Sequence, residues 1–187
     1  MLLANGWQDY ELLDTGDGDR LERWGNYILR RPDPQIIWPI EQNHSDWQKV
    51  DAHYVRSSSG GGQWNYRKKL ADRWILKYDN KLTFNIKPTN FKHMGLFPEK
   101  AVNWDWIIEA ISQAGRPIRV LNLFDYTGGA TVAAAYAGAS VCHVDASKGV
   151  VSWAKENVQS TGLPDTSVRY ITEDVFKFVQ REIRRGS

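Results

Sequence analysis

A single cysteine in 187 residues rules out an internal disulfide and argues for a reducing compartment, the cytoplasm. Long apolar runs are missing too. The least polar stretch, Thr131 to Val144, is broken by Tyr136, Ser140 and His143 and is too short to span a bilayer, so no membrane partner is expected. Met1-Leu2-Leu3-Ala4-Asn5 has neither a basic region nor a long apolar core, which excludes a signal peptide. Neither sign of charge dominates: 24 Lys and Arg stand against 22 Asp and Glu, a net charge of +2 that by itself marks no nucleic-acid binder. Hydrophobic content of 42% and charged content of 25% exclude disorder and a fibrous fold. The length suffices for one domain or two small ones with a real core.

What is present is concentrated in Val120-Leu-Asn-Leu-Phe-Asp125-Tyr126-Thr127-Gly128-Gly129-Ala-Thr-Val-Ala-Ala-Ala-Tyr-Ala-Gly-Ala139. It reads as a buried strand, a tight two-glycine turn and a small-residue helix, so that the strand's carboxyl end and the helix's amino end point at one spot. The next apolar run, Val141-Cys-His-Val-Asp145, ends in a carboxylate that can accept from both hydroxyls of a ribose. A third run, Val168-Arg-Tyr-Ile-Thr-Glu-Asp174, ends in another. Taken alone, Gly128-Gly129 is equally a helix entry that binds nothing; matched by Asp145 and Asp174 it points to an adenosine-containing cofactor.

Two regimes divide the chain. Up to about Asn90 it reads as β-rich: a strand at Tyr10–Leu13, a turn cluster at Asp14–Asp19, and strands Leu21–Trp24 and Tyr27–Arg31 flanking Gly25-Asn26 as a hairpin. Prolines 32, 34 and 39 then interrupt pairing, His53-Tyr-Val55 is strand-like, and Ser57–Gly62 is a loop. Leu82, Phe84 and Ile86 alternate onto one face, so a small antiparallel sheet with one packed and one wet face is expected. The carboxylates Asp14, Asp17 and Asp19 lack the terminal Glu and flanking helices of a calcium loop. Beyond Phe97 helices and strands alternate: a helix from Val102 to Ala114 with Trp106, Ile107, Ala110 and Ile111 on one face, strand Ile118–Phe124, helix Gly129–Ala137, strand Val141–Asp145, helix Lys148–Thr161, strand Val168–Thr172, and a helix carrying Val175, Phe178, Val179 and Ile183. That order predicts a parallel sheet with right-handed crossovers.

Basic and aromatic residues interleave in the middle: Arg67, Lys68, Lys69, Arg73, Lys77, Lys81, Lys87 and Lys92 with Trp64, Tyr66, Trp74 and Tyr78. The mixture suits phosphate contact with base stacking, and equally a solvated strand face over ordinary aromatic packing.

On these motifs the chain resembles a class I S-adenosylmethionine-dependent methyltransferase. Within that class it is similar to the branch of bacterial methyltransferases that modify cytosine carbon-5 of large-subunit ribosomal RNA. Asn122–Thr131 resembles the branch's first motif, Val144–Asn157 its second, Glu173–Phe176 its third, and Lys92-His-Met-Gly-Leu-Phe97-Pro-Glu-Lys100 its lead into the cofactor domain. The resemblance implies an α/β chain in which a small antiparallel β-rich domain, residues 1–92, precedes the amino-terminal half of a Rossmann-like domain, residues 93–187. It implies S-adenosyl-L-methionine as cofactor, with Phe97, Asp125, Tyr126, Thr127, Gly128, Gly129, Asp145, Ala146, Ser147, Asp174 and Val175 around it, and RNA, as in rRNA processing, as substrate. The turn from Asp125 to Gly129 would cup the amino acid part, with Asp125 either pairing the ammonium or serving only the turn. Asp145 would anchor the ribose, and Asp174 with the Val175 N–H would read the adenine. Ser147 and Lys148 are equally a helix cap and first turn.

Cys142, mid-strand among valines, reads as a buried inert thiol; in the resembled family the catalytic cysteine lies further along, so no catalytic residue is assigned. His93 and His143 have no metal-ligand spacing. No Pro-Pro pair occurs, so the family's Asp-Pro-Pro strand end is absent and the chain is expected to be truncated before it. Strand Ile118–Phe124 would then lack one neighbour, and self-association through that open edge is expected. Two other readings stay open: an RNA-binding module with a vestigial cofactor fold, and an NAD-dependent oxidoreductase, the latter without its Gly-x-Gly-x-x-Gly turn.

Overall fold

The computed structural model describes residues 3–40, 45–58, 60–164 and 167–186; Ser59 of the predicted loop and the terminal Ser187 lie outside the described residues. The chain forms two compact units. One comprises Gly6–Asp79 and Ile86–Gly95, the other Met1–Asn5, Asn80–Asn85 and Leu96–Ser187.

In the first unit, β1 (Tyr10–Gly16), β2 (Asp19–Trp24), β3 (Tyr27–Pro32), β4 (Ala52–Arg56) and β5 (Gly62–Tyr66) pair in chain order, followed by β6 (Trp74–Tyr78). Where the sequence predicts a turn over Asp14–Asp19, β1 instead runs on to Gly16 through an irregularity between Leu12 and Asp14. Two residues with positive φ, Asp17 (48°) and Gly18 (79°), suffice to turn it. Gly25, at φ 65°, makes the predicted β2–β3 hairpin. The sheet is not wholly antiparallel: β3 and β4 run parallel, with Leu29 opposite Ala52. The long proline-bearing connection between them allows that crossover.

Neither face of β2 is wet. Leu21, Trp24 and Leu29 are fully buried, and Glu22 is fully buried as well. Its carboxylate accepts from Arg31 Nε at 2.6 Å, Arg31 Nη2 at 2.7 Å and the Tyr10 hydroxyl at 2.9 Å. Two carboxylates of the acidic cluster are likewise spent on structure: Asp14 accepts from the Trp47 indole and Asp19 from Arg30.

In the second unit, α1 (Ala101–Gln113), β8 (Arg119–Leu123), α2 (Gly129–Tyr136), β9 (Ser140–Asp145), α3 (Lys148–Ser160), β10 (Val168–Thr172) and α4 (Val175–Arg185) alternate as predicted. The three strands form a parallel sheet in the order β10-β9-β8, with Leu123 level with Val144 and Thr172 level with Asp145. Val144, Val175 and Phe178 make a core on the α4 side, joined by Leu123, Cys142 and Ile171.

α1 departs from prediction. Its buried side is Ala101 and Trp104, whereas Trp106 is 66% exposed. Trp104 lies against Gly129, where a Cβ would stand 2.7 Å from the indole, and its ring meets Phe84 of β7 (Leu82–Ile86) at 4.9 Å. Gly129 is therefore glycine because of helix packing. In β7, Leu82, Phe84 and Ile86 are buried as expected, but Asn85 is buried too. Its amide bonds Asn157 and Ser160 of α3.

Candidate cofactor site

Parallel register brings the carboxyl ends of β8, β9 and β10 to one edge of the sheet. The Phe124 N–H donates to the Val144 carbonyl at 3.2 Å, and the Glu173 N–H to the Asp145 carbonyl at 3.1 Å. The turn after β8, the tip of β9 and the tip of β10 are thus locked side by side.

The turn is conformationally demanding. Phe124 and Tyr126 have φ of 62° and 52°, and Gly128 has φ 84°. A left-handed residue favours glycine, and a Cβ at Gly128 would also fall 2.8 Å from that of Ala154. Asp125 holds the turn together. One carboxylate oxygen accepts from the Ala130 N–H at 3.3 Å, the other from the Thr131 N–H at 2.9 Å and the Asn122 amide at 2.7 Å. These two N–H groups belong to the first turn of α2, which otherwise has no side-chain cap.

Behind the turn, the Asn122 amide also donates to Thr131 Oγ1, which lies 2.9 Å from His143 Nδ1. Burial pushes the Asp125 carboxyl above its ordinary value, though the Thr131 N–H and the His143 ring oppose the rise. Burial pushes His143 below its own ordinary value, with the Asp125 and Asp145 charges opposing. The Thr131 hydroxyl thus accepts from Asn122 and shares a hydrogen bond with the His143 ring.

Phe97, from the lead-in segment, packs on Tyr126 with ring centroids 5.6 Å apart, and Tyr126 in turn sits 6.4 Å from Trp153. Thr127 is buried, and its carbonyl accepts from Asn157 at 2.8 Å. Asn157 also accepts from the Asn85 N–H at 2.8 Å, and the Asn85 carbonyl accepts from Trp153 Nε1 at 2.8 Å. Asn85 and Asn157 therefore tie the turn to α3 and β7, a role not foreseen in the sequence. The signal was available for Asn157, a polar residue at helical spacing from the buried Val151 and Ala154.

Asp145 is half-buried at the tip of β9. One of its oxygens accepts from the Ser147 N–H at 3.0 Å; no bond within the chain occupies the other among the described residues. Ala146 and Ser147 are exposed, and Ser147 stands at the cap position of α3 without a side-chain cap bond. Asp174 is exposed and caps α4, accepting from the Lys177 N–H at 3.0 Å. Val175 is the first residue of α4, so its N–H has no acceptor within the helix.

Cys142 is half-buried and burial raises its thiol above the ordinary range, as for an inert packing residue. Among the described residues no group of three or more His, Cys, Asp or Glu side chains could hold a metal, and no helix is long and apolar enough to cross a membrane.

A family profile described as S-adenosylmethionine-dependent methyltransferase matches residues 33–186. The ribosomal RNA large subunit methyltransferase K/L of Shewanella baltica (strain OS155) is 34% identical over 98 residues, covering 52% of this chain and 13% of that protein. Its namesake from Shewanella sp. (strain ANA-3) is 31% identical over 138 residues, 70% of this chain and 18% of that one. The crystal structure of the SAM-dependent methyltransferase from Agrobacterium tumefaciens superposes with a TM-score of 0.90 at 44% identity, covering 97% of this chain and 58% of the other. The chain thus spans 58% of that solved structure and no more than 18% of these Shewanella proteins. The profile match sets aside the nicotinamide reading.

Proposed function

The chain belongs to the S-adenosylmethionine-dependent methyltransferase family, and on that premise we propose that it holds S-adenosylmethionine at the carboxyl ends of β8, β9 and β10 for methyl transfer to RNA. The observation that carries this reading is the uncommitted oxygen of Asp145, at a strand tip locked beside the Gly128 turn. When bound, the cofactor supplies an electrophilic methyl carried on a sulfonium. The chain's part is recognition. Asp145 accepts from the ribose hydroxyls, with exposed Ala146 and Ser147 beside it. Asp174 and the Val175 N–H meet the adenine edge. The Tyr126–Gly129 backbone, shaped by Asp125 and backed by Phe97, cups the amino acid end; Asp125 serves by holding the turn, since its oxygens are engaged by Asn122, Ala130 and Thr131. RNA as substrate is supported by the ribosomal RNA methyltransferases it resembles, and a single cysteine supports the cytoplasm as compartment.

Amide NMR tests the reading. Titration with S-adenosylhomocysteine is expected to shift resonances of Tyr126–Ala130, Asp145–Ser147 and Val175, while NAD leaves them in place. Shifts confined to the β-rich unit, or equal shifts with NAD, would refute it.

The edge of β8 leads to a second expectation. β8 is the end strand of its sheet among the described residues, and Leu121 is 54% exposed. Unpaired N–H and C=O groups beside apolar surface recruit another strand. Light scattering should give a mass above the 21.5 kDa of one chain at high concentration, falling on dilution. A constant monomer mass across the series would refute self-association.

A further inference from the structure

The β-rich unit carries a groove of about 480 Å³ whose lining includes Tyr66, Arg67, Lys68, Lys69, Asp72 and Pro88. Three cations there face one carboxylate. Arg67 donates to the Gln48 carbonyl, which fixes its position without neutralising it. Lys68 stands 5.5 Å from the Tyr27 ring centroid and only loosely, at 3.8 Å, from Asp51. Lys69 is exposed and has no partner among the described residues. The groove therefore holds cationic charge that the chain itself does not balance.

An aromatic row runs away from this groove along the β4–β5 hairpin. Tyr54 lies opposite Trp64 in the register, with ring centroids 5.4 Å apart, and Trp64 stacks on Tyr66 at 6.4 Å and 27°. Trp64 is pinned by its indole N–H to the Thr89 carbonyl at 3.0 Å, whereas Tyr66 is 53% exposed. At the far end of the hairpin, about 13 Å away at the usual rise per strand residue, Arg56 and Lys92 line a second hollow, where the Lys92 ammonium donates to the Pro32 carbonyl at 3.2 Å. Burial and the Arg56 charge hold the Lys92 ammonium below its ordinary value, with Asp33 opposing. A cation crowded by another cation favours an anion there.

We propose that this hairpin face is a docking surface for single-stranded RNA, a deepening that rests on the RNA reading above. The phosphate backbone lies on Arg67, Lys68 and Lys69 at one end and on Arg56 and Lys92 at the other, and an unpaired base stacks on the open side of Tyr66. A lone phosphate would satisfy one end only. Cations at both ends of an aromatic row match a chain of alternating phosphates and flat bases.

The test measures binding of a short mixed-sequence single-stranded RNA to the 187-residue chain across a salt series. The combined change Arg67→Gln, Lys68→Gln, Lys69→Gln is expected to weaken binding and to flatten the log–log salt slope by about 2, from three lost phosphate contacts at roughly 0.7 each. Tyr66→Ala is expected to weaken binding about five- to hundredfold with the slope unchanged, and Tyr66→Phe to bind like the parent. Urea midpoints and S-adenosylhomocysteine affinity should stay parental in all three variants. A parental slope in the triple variant would overturn the surface while leaving the RNA reading intact. Duplex RNA bound as tightly as single-stranded RNA would overturn the stacking. A parent that prefers phosphatidylserine vesicles, or retains no RNA, would overturn both the surface and the RNA reading, while cofactor binding is judged separately.

Discussion

Arg31→Met should destabilise the β-rich unit by about 3–5 kcal/mol, because it strands a fully buried carboxylate. Glu22 has no access to water and takes two hydrogen bonds from the Arg31 guanidinium, with a third from Tyr10. Methionine matches much of the arginine stem but leaves the charge unpaired. The pH dependence should change sign with it. Burial raises the Glu22 carboxyl, but the charge and hydrogen bonds of Arg31, with the Tyr10 hydroxyl, more than reverse this, so it titrates below its ordinary value of 4.5. A depressed folded-state pKa contributes stability above the unfolded value that is lost as pH falls through the folded one. The parent should therefore weaken on acidification below about pH 4.5. In Arg31→Met the pull of the guanidinium is gone, burial outweighs the Tyr10 hydroxyl and the Trp24 indole, and the carboxyl rises above its unfolded value. The folded state then binds the extra proton, and the variant should gain stability as pH falls. Urea unfolding at a series of pH values reads both effects. A loss under 1 kcal/mol, or a variant that weakens in acid like its parent, would contradict this role for the pair.

The alternating half of the chain was legible because each element repeats a simple period and each boundary is marked. Gly162 and Pro164 close α3, and Gly128 opens α2 where a left-handed residue is needed. Strand tips carrying Asp145 and Asp174 could be read for the same reason, since a parallel sheet puts every carboxyl end on one side. What was illegible depends on partners far away in sequence. Trp104 rather than Trp106 faces inward because Gly129 leaves room for its indole, a fact that helical spacing alone does not carry. Asn85 looked like a wet-face residue of β7 until Asn157, 72 positions later, gave its amide a buried partner. Glu22 and Arg31 are ordinary alternating polar positions in a hairpin until both faces of the sheet are covered. The parallel β3–β4 pair was hidden by the intervening prolines, which announce an interruption but not where the chain returns. Asp125 allowed two roles from sequence, and its bonds to the Ala130 and Thr131 N–H groups, invisible there, are what support our proposal that it holds the turn.

Asp145→Ala should weaken cofactor binding by about 1–3 kcal/mol, a five- to 150-fold rise in Kd. The oxygen not engaged by Ser147 would be lost, leaving two ribose hydroxyls without their shared acceptor. The other oxygen does separate work for the Ser147 N–H at 3.0 Å, so alanine also loosens the entry to α3. Asp145→Asn separates the two roles, because its amide oxygen can still serve Ser147 while the charge and one acceptor are gone. Its affinity should fall between parent and alanine, with an unchanged unfolding midpoint. The most direct measurement is calorimetric titration of S-adenosylhomocysteine into the parent, Asp145→Asn and Asp145→Ala under one set of conditions. A measurable parental affinity that declines in that order is the predicted result; equal affinity in all three would contradict a cofactor site at these strand ends.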